Sequence, residues 1–151
     1  MSSIPDDELE QKVMDWMWNK FNADWSNQQE VMEALPRACQ NVYSCRTIID
    51  EVENGGLNQL FFNSTSDFAP MACQGFSEIG SQELSKIMAD AMTLFVQNVN
   101  VLKKYHDGTL ESFSASYDEK IFDELDNEFY AACKSFNMES YIRLNQGCFG
   151  D

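Results

Sequence analysis

Residues 54–63 read NGGLNQLFFN, and this stretch decides how the middle of the chain folds. The two glycines follow a helical apolar pattern that ends near Val52. Glycine closes a helix in the left-handed backbone conformation without steric cost. Leu57, Leu60 and Phe61 then have the spacing of one helical face. We therefore expect a helix end, a turn with at least one glycine at positive φ, and a new short helix reaching the end of the stretch.

The polar residues of this stretch leave two interpretations open. In the first, Gly55 and Gly56 form a structural hinge, and Gln59 and Asn63 bind the backbone of the turn. In the second, Asn54, Gln59 and Asn63 line a pocket. The stretch is not a phosphate-binding loop, because it lacks the Gly-Lys-Ser/Thr ending and follows a helix rather than a strand.

Helical periodicity extends over the rest of the chain, and no segment alternates strictly over the length of a strand. The sequence predicts an all-α fold, with residues 1–151 as a single compact domain of about seven or eight helices. The predicted helices begin at Pro5, at a Ser26–Gln29 capping box, at Pro36, after the capping residues STSD (64–67), at Ser81, near Ile121 and near Met138. Residues 103–117 lose the helical pattern, and we expect them to be the main internal loop.

The charge is the strongest feature of the composition. The chain has 25 acidic and 10 basic residues, a formal net charge of −15. Nucleic acid and anionic membranes would be repelled, whereas a basic partner would be attracted. Solubility is the competing explanation, although it usually requires a smaller net charge than this.

Targeting signals and cofactor sites are not indicated. No apolar run approaches the ~20 residues that cross a bilayer, and the N-terminal residues lack a basic start and an apolar signal segment, so we expect a cytoplasmic protein. Cysteine occurs at five positions without a C-x-x-C pair, and His106 is the single histidine. We therefore expect unpaired thiols, no metal site and no cofactor.

Catalytic groups are equally sparse. A nucleophile beside a base, or a positioned acid and base, is needed for most hydrolytic chemistry. His106 lies in a Lys-Lys-Tyr-His-Asp-Gly segment typical of a solvated loop. We therefore expect a non-enzymatic protein.

Acidic residues concentrate towards the two ends of the chain, and these are the candidate partner-binding residues. Glu119, Asp123 and Asp126 recur at intervals of four and three, which predicts one shared helix side. One carboxylate per helical turn, about 5.4 Å, is sparser than the charge of duplex DNA, so imitation of DNA would need two adjacent helices or two subunits. The full candidate set is Asp6, Asp7, Glu10, Asp118, Glu119, Asp123, Glu124, Asp126 and Glu128.

Three segments resemble a bacterial family of unknown function whose named member is a dimeric DNA-mimic protein. They are EVENGGLNQLFFN (51–63), APMACQGFSEIGSQELSKIMADAMTLF (69–95) and DELDNEFY (123–130), and the resemblance covers about residues 30–145. It implies an all-helical fold, a homodimer, and an acidic surface that occupies the DNA-binding face of a transcription factor. The motif is mainly small, amide and apolar, so we interpret it as mainly structural; its residues are Asn54, Gly55, Gly56, Gln59, Phe61, Phe62 and Asn63.

These observations favour an acidic interaction protein that binds a basic protein, including one that blocks a DNA-binding protein as a DNA mimic. Two alternatives stay open. One is an immunity or antitoxin protein that neutralises a basic toxin. The other is a small ligand-binding or enzymatic domain with its pocket at residues 54–63.

Overall fold

The longest helix, α3, runs through the centre of the molecule. The computed structural model describes residues 3–150, so Met1, Ser2 and Asp151 of the predicted domain lie outside the described residues. The nine α-helices within that range are α1 (Asp6–Trp18), α2 (Gln28–Ala34), α3 (Arg37–Phe62), α4 (Ala69–Ile79), α5 (Gln82–Gln97), α6 (Val99–Lys103), α7 (Leu110–Ser116), α8 (Asp123–Cys133) and α9 (Glu139–Leu144). Short 3₁₀ turns cover Ser64–Phe68, Tyr117–Glu119 and Gln146–Cys148. Residues 3–150 contain no strand, and the all-α prediction is confirmed.

The core forms around α3 because this helix carries apolar residues on several sides. Val42, Cys45 and Ile48 have no solvent exposure, and Tyr43 is 1% exposed. Helix α4 packs against α3, α5 packs against α4, and α8 contacts both α3 and α5. Helix α8 is therefore placed beside two other helices at the surface of the bundle.

A polar contact ties the start of α3 to two other helices. The Asn41 side chain is buried, and its amide donates to Glu78 Oε2 of α4 at 2.5 Å and to the Tyr141 hydroxyl of α9 at 2.9 Å. Glu78 also pairs with Arg37 at 2.5 Å. These bonds satisfy a buried amide that would otherwise destabilise the core.

Several predicted boundaries need correction. The predicted internal loop contains α7, which Thr109 caps by accepting a hydrogen bond from the Ser112 N–H at 3.1 Å. The capping box at Ser26 is wrong: α2 begins at Gln28, and the Ser26 hydroxyl accepts a bond from the Asn22 amide instead. Helix α7 was missed because seven residues are too few to establish a period, and its Leu110 is exposed.

Of two further predicted helix caps, one is wrong and one is confirmed. The STSD residues form a 3₁₀ turn and make no side-chain cap for α4. Ser81 caps α5 as predicted, because its hydroxyl accepts from the Leu84 N–H at 3.1 Å. No helix among the described residues is both long enough and apolar enough to span a membrane.

Candidate functional site

Helix α3 is interrupted by a kink at Gly55 and Gly56. Gly55 has φ −155° and ψ 19°, and Gly56 has φ 76° and ψ 179°. The prediction of a glycine at positive φ is confirmed at Gly56. No loop separates the two helical pieces, since residues 57–62 resume the helix at once. The stretch is therefore a kink, and the expected tight turn between separate helices is corrected.

Asp126 of α8 closes the kink from the side. Its Oδ1 accepts a hydrogen bond from the Leu57 N–H at 2.8 Å, and Leu57 begins the second helical piece. A carboxylate at a helix start satisfies an N–H that has no partner within the helix and interacts favourably with the helix dipole. Burial raises the pKa of Asp126, while the bond from Leu57 opposes that rise.

Two tyrosines bind the carbonyl groups on the other side of the kink. The Tyr130 hydroxyl donates to the Val52 carbonyl at 2.9 Å, and the Tyr117 hydroxyl donates to the Gly55 carbonyl at 2.6 Å. The Val52 carbonyl belongs to the first helical piece and the Gly55 carbonyl to the kink itself, and side chains take the place of helical partners at both. The carbonyl groups that lose their helical partners at the kink therefore accept hydrogen bonds from side chains of residues 117–130.

The motif residues around the kink have different roles. Phe61 is buried and stacks between Phe95 of α5 and Phe122, with ring centroids 4.6 and 5.3 Å apart. The Asn63 amide donates to the Glu51 carboxylate, which bridges the two helical pieces through a side chain and not through the turn backbone that we expected. The Gln59 side chain fills the space beside Gly55, so that a Cβ on Gly55 would overlap it.

The second interpretation of the stretch, a pocket, has partial support. An open groove of about 600 Å³ lies between the end of α3 and residues 105–113. Its lining residues are Gln59, Phe62, Asn63, Tyr105, His106, Gly108, Thr109, Leu110 and Phe113. Asn54 is exposed and lies outside this groove. The structure therefore brings together two of the three predicted lining residues.

Aromatic stacking forms the floor of this groove. The Phe62 ring stacks on His106 with centroids 4.1 Å apart and meets Phe113 edge-on at 4.9 Å. His106 is exposed, as the loop composition indicated, but its contact with Phe62 could not be read from the sequence. Within residues 3–150 no cluster of His, Cys, Asp and Glu is arranged to hold a metal ion.

A second candidate site is the acidic surface of α8. We define the α8 face as the exposed carboxylates Asp123, Glu124 and Glu128 of α8, with Asp90 of α5 and Glu53 of α3 on its two sides. Asp90, Glu124 and Glu128 line one groove of about 420 Å³ between α5 and α8, together with the apolar residues Leu94, Ile121 and Leu125. This groove joins negative walls to a partly apolar floor.

The two flanking carboxylates of the α8 face, Asp90 and Glu53, interact electrostatically with neighbouring side chains. Lys86 pairs with Asp90 at 2.7 Å, and both Asp90 and, more weakly, Glu128 raise the pKa of Lys86. On the opposite side, burial and then the charge of Glu53 raise the pKa of Cys133 to about 11. Asp90 and Glu53 therefore lie near opposite sides of α8, and Asp90 is paired with Lys86.

The comparison with known proteins supports the resemblance seen in the sequence. A family model described as DMP19-like protein matches residues 33–145. The chain belongs to the DMP19-like protein family. No curated protein and no solved structure matches it.

The family match covers the kink and the whole α8 face of this DMP19-like protein. The predicted extent, about residues 30–145, agrees closely with the matched residues. The matched residues include all of α3, α5 and α8, whereas α1 precedes them. The family name is compatible with a DNA-mimic role.

The prediction that Glu119, Asp123 and Asp126 share a helix side is wrong. Glu119 ends a 3₁₀ turn, and Lys120, at φ 54°, separates that turn from α8. Glu119 instead accepts a bond from the Tyr105 hydroxyl at 2.5 Å and pairs with Lys104 at 3.2 Å. Asp126 points at the kink and not at solvent. Only Asp123 of the three belongs to the exposed α8 face.

The acidic residues of α1 are engaged to different degrees. Glu10 is only 19% exposed and pairs with Arg46 of α3 at 2.5 Å. Asp6 pairs with Arg143 of α9 at 2.6 Å but remains exposed. Asp7, like Asp118 beyond α7, is exposed. Glu10 and Asp6 therefore help to hold the bundle together, whereas Asp7 stays exposed at the start of α1.

All five cysteines are free in the structure. Cys39 and Cys45 are buried in α3, and burial raises the pKa of Cys39 to about 12 and that of Cys45 still further above its usual value. Thiols with raised pKa values are poor nucleophiles near neutral pH. These two cysteines act as small core residues.

Proposed function

We propose that this DMP19-like protein is a non-enzymatic interaction protein that binds a basic protein through the α8 face. We further propose that the face acts as a DNA mimic and occupies the DNA-binding surface of a protein such as a transcription factor. The observation that carries the proposal is the juxtaposition of Asp90, Glu124 and Glu128 around one groove. The net charge of −15 favours the same kind of partner.

The density of charge on α8 can be compared with that of DNA. Asp123, Glu124 and Glu128 lie within five residue steps, about 7.5 Å of helix axis, so the mean axial spacing of the three carboxylates is about 3.8 Å. Duplex DNA carries one charge per about 1.7 Å of axis. The α8 carboxylates alone are therefore sparser than the charges of DNA, and imitation also needs Asp90 and Glu53 of the neighbouring helices.

The groove between α5 and α8 fits the side chains that bind phosphate. Lysine and arginine have apolar stems and charged heads, and the stem can lie on apolar surface while the head contacts carboxylates. Leu94 and Leu125 offer such a surface beside Glu124 and Glu128. Basic side chains that normally contact the DNA backbone would therefore find both parts of their environment in this groove.

The experiment uses a partner isolated from the native host and then purified. We expect its binding to weaken steeply as salt rises, because screening shortens to about 8 Å at 0.15 M ionic strength. Duplex DNA containing the partner's site should compete with this protein. The variant Asp123→Asn/Glu124→Gln/Glu128→Gln should lose most of the affinity without unfolding.

A matched control removes the same charge elsewhere. Glu33, Asp67 and Glu111 are exposed and lie outside the α8 face. The variant Glu33→Gln/Asp67→Asn/Glu111→Gln has the same net charge as the α8 variant and should keep nearly full affinity. Equal loss of affinity in both variants would show that the affinity depends on the net charge of the protein and not on the α8 face. A complex that is insensitive to salt, or that binds together with DNA, would contradict mimicry.

A homodimer is part of this proposal and an immunity role is an alternative to DNA mimicry, and each needs a separate measurement. A dimer that aligns two α8 faces would lengthen the row of carboxylates, and sedimentation equilibrium measures whether it forms. If the isolated partner is a basic toxin that does not bind DNA, the same face has the immunity function.

A second candidate function is ligand binding in the groove beside the motif. It is favoured because Gln59 and Asn63 line this groove with the stacked Phe62 and His106 rings. An uncharged aromatic compound fits aromatic walls with carboxamides at the edge. A thermal-shift screen of neutral heterocycles, repeated on Gln59→Ala, tests it: a stabilisation that disappears in the variant supports the site, and no stabilisation by any compound counts against it.

A further inference from the structure

A cleft lined by aromatic rings lies at the end of α1, outside the family-matched residues. It has a volume of about 510 Å³ and is lined by Trp18, Asn19, Phe21, Asn22, Ala23 and Trp25. Trp18 and Trp25 are 37% and 46% exposed. Tryptophan is usually highly buried, so two exposed indoles in one cleft require an explanation. We call this feature the Trp cleft.

The walls of the Trp cleft are fixed by the core and by loop hydrogen bonds. Phe21 contacts Trp25 and the buried Tyr43 of α3, with ring centroids 5.3 Å apart in both pairs. The Asn22 N–H donates to Asn27 Oδ1 at 2.7 Å. The rings of Phe21 and Trp25 are therefore held in place before a partner binds, and this reduces the ordering cost of binding.

The backbone of Trp25 is strained. Its φ is 61°, in the left-handed region that bulky side chains rarely adopt. Residues in such conformations cluster at functional sites, where the surrounding structure holds them.

The chemistry of the Trp cleft favours a cation. Indole faces attract ammonium and guanidinium groups. Lys20, the nearest cation in the sequence, lies over the Trp16 ring at 4.2 Å, outside the residues that line the cleft. The net charge of −15 also disfavours an anionic occupant.

We propose that the Trp cleft binds a lysine or arginine side chain of the basic partner, as an anchor separate from the α8 face. The inference rests on the proposed function for the identity of that partner. The stem of the side chain would lie on Phe21 and Ala23, and its charged head would lie against the indoles of Trp18 and Trp25. The Asn19 and Asn22 carboxamides supply polar groups beside the head.

The experiment titrates the full chain with a short acetylated and amidated Gly-Arg-Gly peptide in about 0.5 M NaCl, where surface charges are strongly screened. The readout is the NMR signal of each indole N–H, assigned with single Trp→Phe variants. We expect the Trp18 and Trp25 signals to move and the Trp16 signal to stay. The same peptide with citrulline in place of arginine keeps the shape without the charge and should move none of them.

Variants of the cleft give the second readout. Trp18→Leu/Trp25→Gly removes both rings and gives the strained position a glycine, so folding should be preserved; we expect about tenfold weaker peptide binding. Trp25→Phe keeps a ring with a weaker cation interaction and should give a smaller loss. An equal response to the citrulline peptide, or unchanged affinity in the double variant, would overturn the inference. So would indole shifts that depend on protein concentration without peptide, because a second copy would then occupy the cleft.

The isolated partner separates this inference from the proposed function. If Trp18→Leu/Trp25→Gly binds the partner fully while Asp123→Asn/Glu124→Gln/Glu128→Gln does not, the cleft inference fails and the α8 proposal stands. If the cleft variant loses affinity and the α8 variant binds fully, the α8 proposal fails and the cleft remains a site for a cationic side chain. Partial losses in both variants support both sites.

Discussion

Replacing Gly56 with alanine tests the structure of the kink most directly. Gly56 has φ 76°, and a Cβ there would lie 2.8 Å from Asp126 Oδ2. At φ 76° and ψ 179° the backbone is in a region that essentially only glycine occupies, and another residue there costs about 1–3 kcal/mol. Displacing Asp126 also breaks its bond to the Leu57 N–H, and a hydrogen bond to a charged group contributes about 1.5–3 kcal/mol. We expect Gly56→Ala to lower the free energy of unfolding by about 2.5–6 kcal/mol.

A control and a double-mutant cycle separate the two contributions. Gly108 also has positive φ, 82°, and a Cβ added there would have no atom within 4 Å, so Gly108→Ala should show a backbone cost without a steric clash, about 1–3 kcal/mol. In an Asp126→Ala background the hydrogen bond is already absent, and Gly56→Ala should then cost only its own backbone strain, about 1–3 kcal/mol. Urea unfolding followed by circular dichroism measures all five proteins. Equal costs of Gly56→Ala in both backgrounds would refute the contact between Gly56 and Asp126.

Four further predictions concern stability and thiol chemistry. Tyr130→Phe and Tyr117→Phe each remove a hydroxyl bond to a kink carbonyl and should each cost about 1 kcal/mol in urea unfolding, with no loss if these bonds are absent in solution. Hydrogen bonds from Ser112 and Thr109 lower the pKa of Asp107 to about 2. Its stabilising effect should therefore be complete above its ordinary pKa of 3.8 and disappear as the pH falls through 2. Asp107→Asn should accordingly be less stable than the parent protein at about pH 6 and equally stable below about pH 2. Asp123→Asn/Glu124→Gln/Glu128→Gln should change the melting temperature little, because the lost repulsion between Glu124 and Glu128 offsets the lost interaction of Asp123 and Glu124 with the positive end of the α8 dipole, whereas a large fall would assign these residues a structural role. Titration of freshly purified, denatured protein without reductant should find all five thiols, and two missing thiols would indicate a disulfide.

The sequence predicted features that depend on neighbouring residues better than features that depend on distant ones. The positive φ of Gly56 and the cap at Ser81 follow from local patterns and are confirmed. The contact between Leu57 and Asp126 joins residues 69 positions apart, and one sequence without a structure gives no sign of it. Asp126 therefore looked like another exposed carboxylate on a helix rich in them.

The same limit explains the errors in the candidate sites. Glu119 has the right spacing to share a helix side with Asp123, but spacing has no meaning once Lys120 takes a left-handed conformation between them. Glu10 differs from Asp7 because Arg46 of another helix lies next to it. The positions of negative residues were therefore evident in the sequence, while their freedom to contact a partner depends on which cations the fold places beside them.

The kink and the α8 face are connected by hydrogen bonds from α8 to the α3 backbone. This connection explains why a motif of glycines and amides accompanies an acidic surface. Asp126 and Tyr130 belong to the same helix as Glu124 and Glu128, and both bind the backbone of the kink. Straightening α3 would break these bonds and change how α8 lies against α3, and the carboxylates of α8 would then move relative to Asp90. A variant at Gly56 should therefore weaken partner binding only in proportion to its loss of folded structure, whereas the α8 variant should weaken binding in a fully folded protein. If a folded Gly56→Ala protein loses all binding while the α8 variant binds fully, the kink is itself the contact site and this division of roles is wrong.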